Sequence, residues 1–211
     1  EVEARGAWAS FLIAGRFHRP LFEAIKPSLI EAAKHFVCFQ GHGRRRFAQI
    51  LAHLALDPGG TYTTKELRAV FGALPEEALI EALKMVTQSL DASGDQHQNF
   101  WDHRVMPFWK NVWPRSKAIA TPMIAEELFM LCIAAESRFP EALEAVRPWL
   151  RPPQHFGPAL YRFHKMDLAS RFPRQSRQLL EWMDRLLGDG ANVWPQRDKL
   201  NACLDQIGLA D

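Results

Sequence analysis

Ser137-Arg138-Phe139-Pro140 returns 33 residues later as Ser170-Arg171-Phe172-Pro173. Two more apolar–proline pairs precede them, Leu74-Pro75 and Met106-Pro107. The four prolines therefore fall at intervals of 32, 33 and 33 residues (75 to 107, 107 to 140, 140 to 173), and Trp149 lies 33 residues before Trp182. Proline suits the first turn of a helix, where its missing N–H has no intrahelical acceptor to lose. A period near 33 is the length of two short helices and two turns, the unit of stacked helical repeats. The repeat is degenerate, because Gln175 and Ser176 stand where the preceding copy has Ala142 and Leu143.

Outside these copies, apolar residues also recur at helical spacing, and no stretch alternates as a half-buried strand would. Phe47, Ile50, Leu51, Leu54 and Ala55 make one helical face, closed by the turn Asp57-Pro58-Gly59-Gly60. Thr63-Thr64-Lys65-Glu66 reads as a capping box that opens a helix running to about Ala73. Pro75 then opens another, which runs to about Leu90. Thr121-Pro122 starts a helix that is apolar on most sides and should be central. Val105, Phe108, Trp109 and Val112 share a face, but Pro107 must kink or restart the helix that carries them. Phe139, Ala142, Leu143, Val146, Trp149 and Leu150 should point inward, with Glu141, Glu144 and Arg147 outward. The predicted fold is all-α, an irregular helical-repeat array of HEAT-like hairpins with about 10–11 helices. The polar run Asp91–Gln96, with Gly94 inside it, is the best internal linker. It divides an N-terminal subdomain, 1–93, from a degenerate repeat subdomain, 94–211.

At 211 residues and 47% apolar, the chain can bury a real core. No apolar run approaches the roughly 20 residues needed to cross a bilayer. The chain starts at Glu1 without a signal-like segment, so the expectation is a piece of a longer cytoplasmic protein. Cys38, Cys132 and Cys203 are isolated within apolar helical patterns and read as small buried thiols in a reducing compartment. Net charge is only +2, which argues against a dedicated nucleic-acid binder, but the charges are uneven. Between Arg138 and Arg177 lie eight Lys/Arg (138, 147, 151, 162, 165, 171, 174, 177) against Glu141, Glu144 and Asp167. Residues 75–99 carry Glu76, Glu77, Glu81, Asp91 and Asp95 against Lys84. A solvated surface accounts for this, as does an acidic partner for the basic end.

No constellation specifies a reaction. The eight histidines include no i, i+4 pair with a helical carboxylate, and there is no Cys-x-x-Cys, so no metal is expected. A nuclease pair of arginine and histidine could be Arg46 with His53 or Arg151 with His155. Apolar residues fill the first interval, however, and Pro152-Pro153 break the second. No Gly-x-Ser-x-Gly elbow, Walker loop or dinucleotide fingerprint is present, and no cofactor is expected. Gly41-His42-Gly43 followed by Arg44, Arg45 and Arg46 is the nearest approach to an anion site, with pliant glycines, a following helix N-terminus and three guanidiniums.

From Phe108-Trp109-Lys110-Asn111-Val112-Trp113-Pro114, through Thr121-Pro122, Arg138-Phe139-Pro140-Glu141-Ala142 and Phe172-Pro173, to the Leu200, Leu204, Ile207 tail, the chain resembles a known arrangement. It is similar to the C-terminal helical region of large bacterial phage-defence proteins, in which a sirtuin-like or NTPase effector is joined to a helical sensor. The resemblance spans roughly Trp101 to Ile207 and rests on packing residues. It implies a non-catalytic module that binds another protein, with any effector activity outside the chain. The candidate contact residues are aromatic and arginine groups, which dominate interface energetics: Trp109, Trp113, Arg115, Arg171 and Arg174. Nucleic-acid binding through the basic face is the alternative, and a structural oligomerisation module the third.

Overall fold

The computed structural model describes residues 41–57, 63–114, 121–150 and 157–187, with Pro20, Ala24, Asp198, Asn201, Ala202, Leu204 and Asp205. Among the described residues every regular element is helical, so the fold is all-α. The chain divides into two compact units, Glu1–Ile119 and Ala120–Asp211. The expectations for Cys38, Pro58–Gly60, Arg115, Arg151, His155 and Cys203 fall outside the described residues.

In the first unit, helix α1 (Gly41–Leu56) buries Phe47, Ile50, Leu51 and Ala55, one stripe at helical spacing, and packs along α3 (Glu76–Asp91). Leu54, expected on the same face, is half-buried. Between them α2 (Thr64–Ala73) starts at the predicted capping box. The Thr63 N–H donates to Glu66 Oε2 at 2.8 Å, while Thr63 Oγ1 accepts from the Glu66 N–H at 3.3 Å. Each residue thereby satisfies a backbone donor that would otherwise lack a partner at the helix start. Pro75 is the N-cap of α3, where a residue without an N–H costs nothing.

The run Asp91–Gln96 is a tight turn with a single 3-10 turn (Gly94–Gln96) inside this unit. Gly94 takes a left-handed φ of +51°, which a side chain would resist. After it come α4 (His97–Phe100), a π-helical turn (Trp101–Val105) and α5 (Met106–Asn111). Pro107 explains the π turn. It has no N–H to continue the i→i−4 ladder, and Met106 instead donates one residue further back, to the Trp101 carbonyl. The helix is thus widened where a kink or restart was expected. Its inner face carries Phe108, 5.3 Å from Phe71 of α2 and 6.0 Å from Trp113, both edge-on. Trp109 and Trp113 stack at 4.9 Å.

In the second unit, α6 (Pro122–Ala134) is capped by Thr121, whose hydroxyl accepts from the Ile124 N–H at 3.3 Å. It is buried on most of its circumference, as its composition requires, and packs against both α7 (Phe139–Val146) and α8 (Gly157–Lys165). Short 3-10 turns, Glu136–Arg138 and Arg147–Trp149, flank α7. Then follow α9 (Leu168–Arg171) and α10 (Pro173–Leu187). Phe163 of α8 holds the centre. It stacks on Phe129 of α6 at 6.4 Å and meets Phe139 of α7 edge-on at 5.4 Å, while Phe139 also reaches Phe172 at 6.0 Å. Asp167, between α8 and α9, adopts a left-handed φ of 52° and accepts a 2.6 Å hydrogen bond from the Ser170 hydroxyl. Aspartate tolerates that conformation because its short side chain can bond locally.

Pro75, Pro140 and Pro173 sit at helix starts and Pro107 where the π turn passes into α5, but the α-helical segments that follow are 16, 6, 8 and 15 residues long. The two best copies are also out of phase. In α7, Phe139 and Ala142 are buried and Leu143 is half-buried. The counterparts Phe172, just before α10, and Gln175 within it are half-buried, and Ser176, opposite Leu143, is fully buried. Ser176 donates to the Leu168 carbonyl at 3.3 Å, which satisfies the hydroxyl in an otherwise apolar site.

Phe163→Ala should lower the unfolding free energy by about 3–5 kcal/mol in a denaturant titration, because it opens a cavity between three helices. Tyr161→Ala, on the outer side of the same helix, should change it by less than about 0.5 kcal/mol. Equal losses at the two positions would contradict this packing.

Candidate interaction surface

The candidate contact residues separate sharply by burial. Trp109 is 4% exposed and Trp113 0%, so both are core residues, and the expectation that they face a partner is corrected. The cause is the stacked pair itself, which turns two large rings onto Phe108 and away from water. The Trp113 indole N–H is buried and meets no acceptor, so the ring acts here as a hydrophobic body. Arg171 and Arg174 are exposed.

The glycine-arginine stretch also differs from its expectation. Gly41, His42 and Gly43 are the first turn of α1, not a pliant loop ahead of it. Consecutive positions on a helix step by about 100° around its axis. Arg45 is exposed and Phe47 fully buried, as that stepping demands. His53 is exposed on the same helix, and the Ile50–Ala52 turn before it is core.

Several arginines are engaged in holding the fold. Arg68 donates from Nε at 3.1 Å and Nη2 at 2.7 Å to the carbonyl of Asn111, the last residue of α5. Arg104, in the π turn, reaches the carbonyl of Leu56, the last residue of α1, at 3.4 Å and the Asp57 carboxylate at 3.2 Å. Arg177 of α10 holds the Leu204 carbonyl at 2.9 Å and Asp205 at 3.3 Å. Guanidiniums at helix ends satisfy carbonyls that lack intrahelical donors and complement the negative pole of the dipole. Arg138 pairs with Glu141 and Arg147 with Glu144.

Arg171 and Arg174 do neither. The Arg171 guanidinium carbon lies 5.5 Å from the centroid of the Phe172 ring, a cation–π contact, and the residue is exposed. Arg174, in the first turn of α10, makes no ion pair among the described residues. Earlier in the chain, α8 exposes Pro158, Tyr161, His164 and Lys165, while Ala159, Leu160 and Phe163 are buried. Tyr161 is 60% exposed, one of two large apolar side chains so exposed among the described residues, Met123 being the other. Tyr161 was not among the expected contact residues and Lys165 was counted only within the basic stretch, although the amphipathic spacing of 157–165 places them together on the outer face. A shallow groove of about 250 Å³ lies between α7 and α10, with Leu143, Leu150 and Leu179 as its floor and Glu144, Arg147, Gln178 and Glu181 around its rim. It is a smaller and more polar concavity than most small-molecule sites.

Among the described residues no group of three or more His, Cys, Asp or Glu is placed to hold a metal ion, and no helix is long and apolar enough to cross a membrane. Cys132 is a buried free thiol in the last turn of α6, and burial pushes its pKa up, because a thiolate there would have no solvent.

No protein-family model and no solved structure matches the chain. A stretch of 104 residues is 27% identical to "Uncharacterized protein y4cA" of Sinorhizobium fredii (strain NBRC 101917 / NGR234). That stretch is 48% of this chain and 9% of the bacterial protein, so the similarity is to a small part of a much longer polypeptide.

In a Cys38→Ser/Cys203→Ser background, Cys132 should resist a thiol reagent while folded and react at once in denaturant, with no acceleration of native labelling between pH 7 and 9. Its folded pKa is raised, so its contribution is complete below the ordinary thiol pKa of about 8.5. Stability then falls as pH rises beyond that, where the unfolded thiol ionises first. Rapid native labelling that follows thiolate ionisation would refute the burial.

Proposed function

We propose that this chain is a non-catalytic, all-helical module that recognises another protein on behalf of a larger bacterial protein, as the sensing part of an anti-phage defence system in the cytoplasm. The proposal includes the finer architecture, an irregular stack of helical hairpins of the HEAT kind. The observation that carries the binding role is the contrast between arginines. Arg68, Arg104 and Arg177 are committed to carbonyls and carboxylates, whereas Arg171 and Arg174 stand exposed with no ion pair among the described residues, and Tyr161 of α8 is exposed as well. Tyrosine and arginine are the residue types on which protein interfaces concentrate their energy.

Two observations support the wider setting. The Sinorhizobium protein that shares 104 residues with this chain is far longer than the shared stretch, as expected of a module carried within a large polypeptide. The helical segments from Trp101 onward resemble the sensor regions of phage-defence proteins, and the residues that carry that resemblance, Trp109, Trp113, Phe139 and Leu204, are core residues. Such a resemblance speaks for architecture and leaves the sensed partner to be found.

The test is a pull-down with the tagged 211-residue chain from nuclease-treated bacterial lysate, with and without phage infection. One phage protein recovered stoichiometrically and unaffected by nuclease is the expected result. Capture of nothing, or of material that vanishes with nuclease, would reject the sensor reading and favour nucleic-acid binding.

A further inference from the structure

We propose that the corner formed by the last turn of α8, α9 and the first turn of α10 is a docking surface for a carboxylate-rich segment of a protein partner. This deepens the protein-binding reading above and rests on it. Three features of the corner argue for that occupant.

The first is unspent positive charge. Lys165, Arg171 and Arg174 are exposed within ten consecutive residues, and none is in an ion pair among the described residues. The one exposed carboxylate in their midst, Asp167, accepts a 2.6 Å hydrogen bond from the Ser170 hydroxyl and keeps its charge, so the three cations outnumber it. The second is preorganisation. The Arg171 guanidinium is in cation–π contact with Phe172 at 5.5 Å, and α10 fixes the backbone of Arg174, so less freedom is lost when a carboxylate is gripped. The third is a hydrophobic contact beside the charges. The Tyr161 ring is exposed one helical turn before Lys165, and an aromatic anchor next to cations is how interfaces combine steering with residence time.

Discrete carboxylates fit better than a phosphate backbone. Exposed Asp167 interrupts the cations along the chain, and net charge is only +2. A nucleic-acid track needs cations that follow a charge every few ångströms without such interruption. A protein segment can place its acids opposite the cations and leave a gap opposite Asp167.

The test uses the full 211-residue chain and fluorescence anisotropy with two probes, a synthetic Glu/Asp-rich peptide and a single-stranded DNA of equal formal charge. The peptide should bind at low salt and weaken as ionic strength rises, because screening reaches about 10 Å at 0.1 M. Arg171→Glu with Arg174→Glu should weaken it by roughly tenfold or more, and Tyr161→Ala by a smaller factor. All three residues are exposed, so circular dichroism of the variants should match the parent. Arg171→Gln with Arg174→Gln provides the same charge removal should the reversal perturb folding. The proposal is overturned if the parent chain does not bind the peptide, if the arginine variants bind it equally well, or if the DNA binds more tightly. Should a phage protein still be captured by the Arg171→Glu/Arg174→Glu chain, the sensor reading survives and this surface does not. Loss of capture by the parent chain itself defeats both.

Discussion

The carbonyls at the end of a helix have no intrahelical donor, and in this chain arginines from distant positions supply one. Arg68 closes α5 from 43 residues away, and Arg104 closes α1 from 48 residues away. Each contact is worth only about 0.5–1 kcal/mol at an exposed site. Their larger consequence is geometric. A helix end held by a side chain from another helix cannot rotate independently, so these bonds tie the first unit's helices together at their rims while aromatic rings fill the middle. They also decide which cations remain available to anything else.

The aromatic packing and the prolines divide the remaining work. Prolines 75, 140 and 173 mark where helices begin and Pro107 where the π turn passes into α5, and the rings of Phe108 and Phe163 determine how those helices meet. Pro107 shows the two in conflict. Burial of Val105, Phe108, Trp109 and Val112 demands one continuous face, whereas the proline forbids a regular ladder. A π turn at Trp101–Val105 reconciles them by letting one hydrogen bond span an extra residue. The same logic explains Asp167, whose left-handed backbone lets α8 turn sharply into α9 while Phe163 and Phe172 both remain against Phe139.

Much of this was readable from residue order. The capping box at Thr63, the helix starts at Pro75 and Thr121, the central position of α6 and the inward face of α7 are local consequences of propensity and periodicity, and all are present. What could not be read was set by tertiary contact. Trp109 and Trp113 offered equal promise as anchors or as filling, since a ring's destination depends on what faces it across the fold. The glycine-arginine stretch suggests a pliant loop, whereas Gly41 and Gly43 belong to the first turn of α1. The long-range roles of Arg68, Arg104 and Arg177 left no mark in sequence spacing, because their acceptors are backbone carbonyls that every residue possesses. Tyr161 was legible in principle, as the apolar residue on the wrong side of an amphipathic helix.

The arginines fall into those that hold backbone carbonyls, Arg68, Arg104 and Arg177, and those left for a partner, and that division can be measured directly. Limited modification of the native chain with phenylglyoxal, followed by peptide mass spectrometry, ranks guanidinium accessibility residue by residue. The account predicts rapid modification of Arg171 and Arg174 and slow modification of Arg68, Arg104 and Arg177, with the difference erased in denaturant. Uniform rates across all five in the folded chain, or protection of Arg171 and Arg174, would contradict it.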